Sequence, residues 1–386
     1  MRLIYLTLKR FDRINADTAY VSNMANAFNE LLKVKFILTM SGKSTEQFKN
    51  INTHIFNLAV SKLVYYRWPS FFYLLIFKLS YILFFIYFPF YALRKLNHKE
   101  QIIFSNDSDL LATAIFWKKY LFYKYLICSD WHMLYNNWKD KFIAKNSDYL
   151  IATSKKLKSL LVDRFKISED KIFVAYGGID LEKFKNITKE QARVELGLPQ
   201  DKKLVGYVGL FTTMRMEKGV GTMVKSLKYL DDNIMMVLVG RRDREGVDYG
   251  RLAEENGVAE RCIIKDFVDY DRMILYEQAM DILVIPYPDK PHFRDWGFPM
   301  KIYEYMASGR PIVYSRLDLV EEVLGGNSSY GFEPDNSHDL ARAIKEAIHT
   351  KSDEVFEEGL LLERMKKYSW DNKAREILKF VGFKLA

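Results

Sequence analysis

Two basic side chains, Arg215 and Lys218, lie in a glycine-containing loop that follows an apolar run. The loop reads GLFTTMRMEKGVG from Gly209 onward, and a helical pattern follows it. Glycines let a ligand approach the backbone, and two cations near a helix start can neutralise a diphosphate. The P-loop spacing GxxxxGK[ST] is absent. Taken alone, a solvated basic surface is the alternative for this pair.

A second loop, residues 295–311, reads DWGFPMKIYEYMASGRP. Gly297 and Pro299 indicate a helix start whose N–H groups can meet a second face of the phosphates. Glu304 lies one turn into this helix, where a carboxylate can accept hydrogen bonds from the two hydroxyls of a ribose. Lys301 is three residues away, so the alternatives for Glu304 are an ion pair with Lys301 or a surface position.

The elements that position these loops alternate between β-type runs and helical patterns, which is typical of parallel α/β sheets. Ligands of such sheets bind beyond the carboxyl ends of the strands, where both loops lie. A length of 386 residues favours two domains. The predicted strands are 3–8, 34–40, 101–106, 123–128, 149–154 and 171–176 in the first half, and 203–209, 234–240, 262–267, 282–287 and 311–315 in the second.

The net charge of +9 belongs to the first half of the chain. Residues 1–180 contain 26 Lys or Arg and 14 Asp or Glu, a net charge of +12, whereas the remainder carries −3. A basic half attracts nucleic acid or an anionic membrane surface. No signature of a nucleic-acid-binding domain is present, so we expect no nucleic-acid partner. The alternative is a basic, solvated surface with no binding partner.

The segment Phe71–Leu93 is almost wholly apolar and aromatic. It is long enough to span a bilayer, but Lys78 and Pro89 interrupt it, and a span would split the first domain. We therefore expect a helix that lies in the membrane interface, with a buried core helix and a true span as alternatives. Cys128 and Cys262 fit no disulfide framework. The predicted location is cytoplasmic and peripheral, on the inner face of the cell membrane.

The segment GFPMKIYEYMASGRPIV resembles the most specific motif of the retaining glycosyltransferases of family 4. YVG…KGV, MMVLVG, the IPYP strand end and YGGIDLEKF are similar to further motifs of that family, and the resemblance extends over residues 1–380. It implies the α/β fold called GT-B, in which two Rossmann-like doubly wound domains face a central cleft. The expected domains are 1–180 for the acceptor and 181–365 for the nucleotide sugar, with a C-terminal helix in 366–386 that crosses back.

The resemblance also implies roles for individual residues. Lys218 and Arg215 would bind the diphosphate of a UDP- or GDP-sugar and stabilise the leaving group, and Glu304 would bind the ribose. His132, after a predicted strand, would face the donor sugar, with a structural role as its alternative. Further residues would contact the base, the phosphates or the donor sugar: Gly209, Phe267, Val268, Gly297, Phe298, Pro299 and Lys301.

The sequence departs from the family pattern in three places. Gly177 stands where the family usually has a hinge asparagine, the N-terminal glycine-rich turn is reduced to Asn15-Ala16-Asp17-Thr18, and an acidic residue is missing from the second loop. The family often has a glutamate where this chain has Trp296, and the adjacent Asp295 is the candidate replacement. Asp107-Ser-Asp109 is similar to the metal-binding DxD of another transferase fold, but carboxylates at a loop-to-helix junction more often cap the helix. We therefore expect neither a metal ion nor a cofactor.

Together with the residues above, the resemblance implies a metal-independent, retaining glycosyltransferase with a lipid-linked or glycan acceptor in cell-surface polysaccharide or glycolipid synthesis. A nucleotide-sugar 2-epimerase of the same fold is one alternative. A catalytically degenerate sugar- or lipid-binding protein is another.

Overall fold

The computed structural model describes residues 1–9, 11, 16–40, 48, 50–55, 70–96, 100–184, 187–242, 247–297, 300–325, 329–349 and 365–385. The chain forms two compact units. The first is Met1–Tyr176 together with Trp370–Ala386, and the second is Gly177–Ser369. The first unit thus ends four residues before the predicted boundary at 180, and its C-terminal part begins at 370 rather than 366.

The first unit is built on a parallel sheet of seven strands. The strand order is β3-β2-β1-β4-β5-β6-β7. The chain builds the sheet outward from β1, first to β3 on one side and then from β4 to β7 on the other, which is the topology of doubly wound folds. Strands β1 and β4 are almost entirely buried, because helices cover both faces of such a sheet. The strands are β1 (Arg2–Tyr5), β2 (Phe36–Met40), β3 (Thr53–Ile55), β4 (Gln101–Ser105), β5 (Leu126–Trp131), β6 (Tyr149–Ala152) and β7 (Ile172–Val174).

The helices between these strands are α1 (Ala16–Leu32), α2 (Ser70–Lys95), α3 (Ser108–Tyr120), α4 (Trp138–Asn146) and α5 (Lys155–Phe165). On α1, Val21, Met24 and Phe28 recur at helical spacing and form a buried face. The C-terminal helix, Trp370–Phe380, packs against α1, and the Trp370 ring lies 5.4 Å from the Tyr20 ring.

Helix α2 contains the segment expected at a membrane, and its side chains are described from Lys78 onward. Phe84, Phe88 and Tyr91 are buried in the first unit, so one face of α2 belongs to the core. The opposite face is apolar but exposed. Among the described residues, no helix has the length and apolar character needed to cross a membrane.

Strand β5 begins three residues later than predicted and ends at Trp131. The two tyrosines assigned to its start serve instead to pack helices. Tyr123 donates a hydrogen bond to the carbonyl of Pro89, and Tyr125 donates one to the carbonyl of Ala114. Asp130 and Trp131 therefore lie within the strand, and only His132 follows it.

The second unit contains a parallel sheet of six strands in the order β12-β11-β8-β13-β14-β15 and a separate antiparallel pair, β9 and β10. The strands are β8 (Lys203–Val208), β9 (Thr212–Thr213), β10 (Met216–Glu217), β11 (Ile234–Arg241), β12 (Cys262–Asp266), β13 (Ile282–Ile285), β14 (Ile312–Ser315) and β15 (Ser329–Phe332). The helices are α6 (Lys189–Leu196), α7 (Val220–Ser226), α8 (Tyr249–Glu255), α9 (Tyr270–Ala279), α10 (Met300–Ala307), α11 (Asp318–Leu324) and α12 (Ser337–His349). The apolar core of this unit lies between the sheet, α7, α8 and α12.

Candidate functional site

The loop after β8 folds as a β-hairpin, which the sequence analysis did not predict. Thr213 pairs with Met216, and the two residues between them, Met214 and Arg215, have φ angles of 48° and 64°. Such a tight turn normally takes glycine or asparagine, because a positive φ strains other residues. The Arg215 side chain therefore projects from the tip of a strained hairpin.

Lys218 follows this hairpin directly and precedes α7. Two amides at the start of α7 already have an anionic acceptor within the protein. The Glu217 carboxylate accepts hydrogen bonds from the amides of Gly219 and Gly221 at 2.7 and 3.0 Å. The Tyr249 hydroxyl lies 3.3 Å from the same carboxylate. The positive charge expected at this helix start therefore comes from the side chains of Arg215 and Lys218.

Gly209, at the end of β8, is required by the close approach of α10. Its φ is +149°, and a Cβ atom at this position would lie 2.9 Å from Cε of Lys301. The Lys301 side chain thus passes directly over the carboxyl end of β8. The Tyr305 hydroxyl reinforces this arrangement, since it accepts a hydrogen bond from the amide of Val208 at 2.8 Å.

Lys301 lies between two buried carboxylates. Its Nζ is 2.9 Å from Oε1 of Glu277, on α9, and 2.5 Å from Oε2 of Glu304. Burial alone would lower the pKa of Lys301, but the charges of Glu277 and Glu304 outweigh it and raise that pKa. Burial, together with the nearby Glu304, raises the pKa of Glu277 well above the usual glutamate range despite Lys301.

Glu304 is only 6% exposed, so it is not a surface carboxylate. The ion pair with Lys301, which the sequence analysis considered as the alternative, is present. Glu277 was missed because its role depends on a partner 24 residues away, and spacing within one helix gives no signal for it. The three side chains form what we call the Lys301 cluster: Glu277, Lys301 and Glu304.

Asp295 lies in a short π-helix, His292–Trp296. Its carboxylate is 3.2 Å from Nε of Arg294, which also pairs with Asp289 at 2.8 Å. Gly297 ends this helix, and a Cβ atom there would lie 2.6 Å from the carbonyl oxygen of His292. Phe298 and Pro299 lie outside the described residues.

His292 is a second residue that sequence reasoning missed. Burial, and then the positive charge of Lys218, lower the pKa of its imidazole. The π-helix therefore brings a neutral imidazole close to Lys218. A histidine between proline and phenylalanine carries no recognisable spacing signal, and only the fold reveals this neighbour.

Phe267 follows β12, and its exposed ring lies 4.4 Å from the guanidinium carbon of Arg242. An exposed aromatic ring at the carboxyl edge of a sheet can stack on a planar base. Val268, beside it, is half-buried.

In the first unit, His132 is held by a buried carboxylate. Its Nε2 lies 3.1 Å from Oδ2 of Asp130, which also accepts a hydrogen bond from the Tyr20 hydroxyl at 2.7 Å. Burial alone would raise the pKa of Asp130, but His132, Lys373 and Tyr20 hold it below the usual range. Burial lowers the pKa of Lys373, on the C-terminal helix, to about 8. The His132 ring is thus fixed in orientation from two sides, because Tyr20 also packs edge-on against it at 4.3 Å.

Asp107 caps α3, as the sequence analysis favoured. Its Oδ1 accepts hydrogen bonds from the amides of Asp109 and Leu110, and its Oδ2 accepts one from the Tyr81 hydroxyl at 2.6 Å. Asp109 pairs with Lys139 at 2.8 Å. Within the part of the chain that the structure describes, no group of three or more His, Cys, Asp or Glu side chains is placed to hold a metal ion.

Two family sequence models match the chain. Residues 18–183 match "Glycosyltransferase Family 4" and residues 202–350 match "Glycosyl transferases group 1", so together they cover most of the chain. An uncharacterized glycosyltransferase of Methanocaldococcus jannaschii is 29% identical over 242 residues, which are 59% of this chain and 58% of that relative. The match thus spans less than two thirds of the relative's length.

Solved structures share the architecture over the full chain. A glycosyltransferase from Rickettsia africae superposes with a TM-score of 0.73 at 16% identity and covers 99% of both chains. Anabaena HepE, crystallised in complex with UDP, gives a TM-score of 0.71 at 14% identity, again over 99% of both chains. These likenesses show that the two parallel-sheet units have the GT-B fold.

Proposed function

Because this chain belongs to glycosyltransferase family 4, we propose that it transfers a sugar from a UDP- or GDP-sugar to a lipid-linked or glycan acceptor, with retention of anomeric configuration. The observation that carries the proposal is the Lys301 cluster at the carboxyl end of β8. There the buried carboxylate of Glu304 is held by Lys301, whose side chain passes over Gly209 at the carboxyl end of β8. This is an arrangement suited to a ribose next to a diphosphate.

The nucleotide lies along the carboxyl edge of the second sheet in this proposal. Glu304 accepts hydrogen bonds from the ribose hydroxyls, Arg215 and Lys218 neutralise the diphosphate, and Phe267 stacks on the base. The complex of HepE with UDP supports a nucleotide in a protein of this fold. His292, neutral beside Lys218, donates or accepts a hydrogen bond without adding charge.

In the transfer step, the bond between the sugar C1 and the diphosphate oxygen breaks while an acceptor hydroxyl attacks from the same face. Positive charge develops on the sugar and negative charge on the diphosphate. Arg215 and Lys218 stabilise the departing diphosphate. The proton of the acceptor hydroxyl passes to a phosphate oxygen of the leaving group, so no side chain acts as nucleophile, and no metal ion is required.

The acceptor belongs to the first unit in this proposal, and there Asp130 fixes the orientation of the His132 ring. The net charge of +12 on residues 1–180 supports an acceptor held at an anionic surface. We place the enzyme on the inner face of the cell membrane, in synthesis of a cell-surface polysaccharide or glycolipid.

Donor turnover tests this function. The protein is incubated with UDP-glucose, UDP-N-acetylglucosamine, UDP-galactose and GDP-mannose, with and without EDTA, and hydrolysis is followed by NMR. We expect slow release of the α-anomer from one donor, unchanged by EDTA. A 2-epimerised sugar would instead identify an epimerase, and a complete loss in EDTA restored by Mn²⁺ would overturn the metal-independent mechanism.

One observation favours a second candidate, a degenerate nucleotide-sugar-binding protein. Position 296 is tryptophan, and Asp295 is engaged with Arg294. Thermal stabilisation by UDP, about 2.7 kcal/mol at a concentration ~100 times Kd, without any turnover would support that candidate. Glu304→Ala should remove this stabilisation in either case, because the ribose contact exists in the ground state.

A further inference from the structure

The outer face of α2 carries a continuous apolar stripe. Its members recur every three or four residues and therefore share one side of the helix. They are 42% to 63% exposed, whereas Phe84 and Phe88 on the opposite side are fully buried. The stripe consists of Leu79, Ile82, Ile86, Phe90 and Leu93. Folding of the first unit does not bury it, and exposed apolar surface of this extent marks an interaction site.

A second apolar feature follows the end of α3. Tyr120, Leu121 and Phe122 are all exposed, and Phe122 is 85% exposed. The backbone of Phe122 is also left-handed, with a φ of 55°. A bulky residue in this conformation costs stability. This turn therefore holds a phenylalanine out in solvent at the expense of backbone strain.

The two features are joined at Pro89. Proline has no N–H, so the carbonyl of Phe85, four residues earlier, lacks its helical partner. The indole N–H of Trp117 on α3 donates to that carbonyl at 2.9 Å, and the Tyr123 hydroxyl donates to the carbonyl of Pro89 at 2.8 Å. The stripe and the turn thus lie on elements fixed to each other, and we call them together the apolar patch.

The surroundings of the apolar patch are basic. Residues 70–95 and 110–129 contain no Asp or Glu. The exposed cations beside the patch are Lys78, Arg94, Lys95, Lys119 and Lys124. A surface cavity of about 410 Å³ opens between Lys118, Lys119, Phe122 and Asn146, so Lys119 also adjoins the Phe122 ring, while Lys118 is paired with Asp148 at 2.6 Å.

We propose that the apolar patch is the surface by which this protein docks on an anionic lipid bilayer. The stripe and Phe122 enter the interfacial region, and the surrounding Lys and Arg side chains contact the acidic headgroups. The inference rests on the membrane-bound acceptor of the proposed function and assigns its docking surface. A second copy of the chain fits less well, because a self-complementary contact would bring these cations together.

Vesicle flotation tests the surface. Wild-type protein should float with vesicles of equal parts phosphatidylglycerol and phosphatidylcholine at low salt. Raising the salt should weaken this binding without abolishing it, because salt screens only the charge contribution. Ile86→Asp and Phe122→Asp should each lower bound protein by about tenfold or more. The matched control Val194→Asp, at an exposed valine on α6 of the other unit, should float like wild type.

Phe122→Asn separates docking from folding. Asparagine tolerates a left-handed backbone, so this variant should unfold at the same or a higher temperature than wild type while binding vesicles more weakly. Lys119→Glu with Lys124→Glu should weaken binding at low salt and have little effect at high salt.

Several results would overturn the proposal. Wild type that fails to float, equal binding to pure phosphatidylcholine, or a dimer in solution that Ile86→Asp dissociates would each do so. Donor hydrolysis in solution is independent of docking. Hydrolysis without flotation would therefore contradict the docking surface and support the transferase activity. Flotation without hydrolysis would support the docking surface and contradict the transferase activity.

Discussion

Lys301 lies between two buried carboxylates, and we expect its substitution to lower the free energy of unfolding. Lys301→Met should destabilise the protein by about 3–5 kcal/mol at neutral pH, because the negative charge of the Glu277 and Glu304 pair would be buried without a counter-charge. The folded variant would then bind protons more tightly than the unfolded chain, so the deficit should shrink as pH falls toward the ordinary glutamate range. Urea unfolding at several pH values measures this. Lys225→Met, at an exposed lysine, is the control; a deficit that does not change with pH would contradict the assignment.

Lys218 should matter mainly for turnover. Lys218→Ala should lower kcat at least about tenfold, roughly 1.4 kcal/mol or more, because negative charge grows on the leaving diphosphate as the transition state forms. Steady-state kinetics at saturating donor measure this, with Lys228→Ala as a control at an exposed lysine. Unchanged kcat would exclude Lys218 from the leaving-group site.

The pKa of His292 tests whether Lys218 and the diphosphate lie near its imidazole. Because Lys218 helps to lower the pKa of His292, Lys218→Ala should raise that pKa, and binding of UDP should raise it in wild type by partly neutralising Lys218. Neither change should restore the ordinary value, since burial is the larger cause. An NMR titration of the imidazole measures both. A pKa that responds to neither would mean that Lys218 and the nucleotide lie elsewhere.

For single residues, the sequence predicts contacts within one helix but not those that depend on packing between elements. Lys301 and Glu304 lie three apart on one helix, so their proximity follows from helical geometry and is present in the structure. Glu277 joins them through packing of α9 on the sheet, and the π-helix places His292 where the charge of Lys218 acts on its imidazole. Neither arrangement leaves a trace in local spacing, whereas the glycines at the strand ends do.

Between elements, the contact at Pro89 offers a rescue experiment. Trp117→Phe should cost about 1–3 kcal/mol, because the Phe85 carbonyl loses its donor in a part-buried position. Pro89→Ala returns a helical N–H four residues after Phe85, so the double variant should recover most of that loss. Denaturant unfolding of the four proteins in this cycle measures the coupling. Costs that simply add would show that the indole hydrogen bond contributes little.

Element types were predicted better than element ends. Apolar runs identify the inner strands of both sheets, because those strands are buried on two faces. The three-residue shift of β5 and the hairpin of β9 and β10 were missed. In the first case tyrosines with strand propensity serve helix packing, and in the second Met214 and Arg215 occupy positions that usually take glycine. Tertiary contacts override local preference at both sites.

For the whole molecule, the C-terminal helix should be essential to the first unit alone. Removal of residues 370–386 would uncover the face of α1 that packs against it and remove the buried Lys373 beside Asp130. Hydrogen exchange should then show lost protection in β1, β4 and β5, with the strands of the second unit still protected. Equal loss in both units would contradict the division at Tyr176 and Trp370.

That division has a consequence for biosynthesis. The first unit is interrupted at Tyr176 and regains its last helix only at Trp370, so the second unit is inserted within it. At about 5–20 residues per second, a ribosome needs roughly 10–40 s to make the insert. The unit begun first is therefore completed last, and until then the newly made α1 lacks its covering helix. Chaperones that shield apolar surface on nascent chains should bind this stretch during that interval, and ribosome profiling of chaperone-bound complexes should show them still bound when the ribosome adds Trp370.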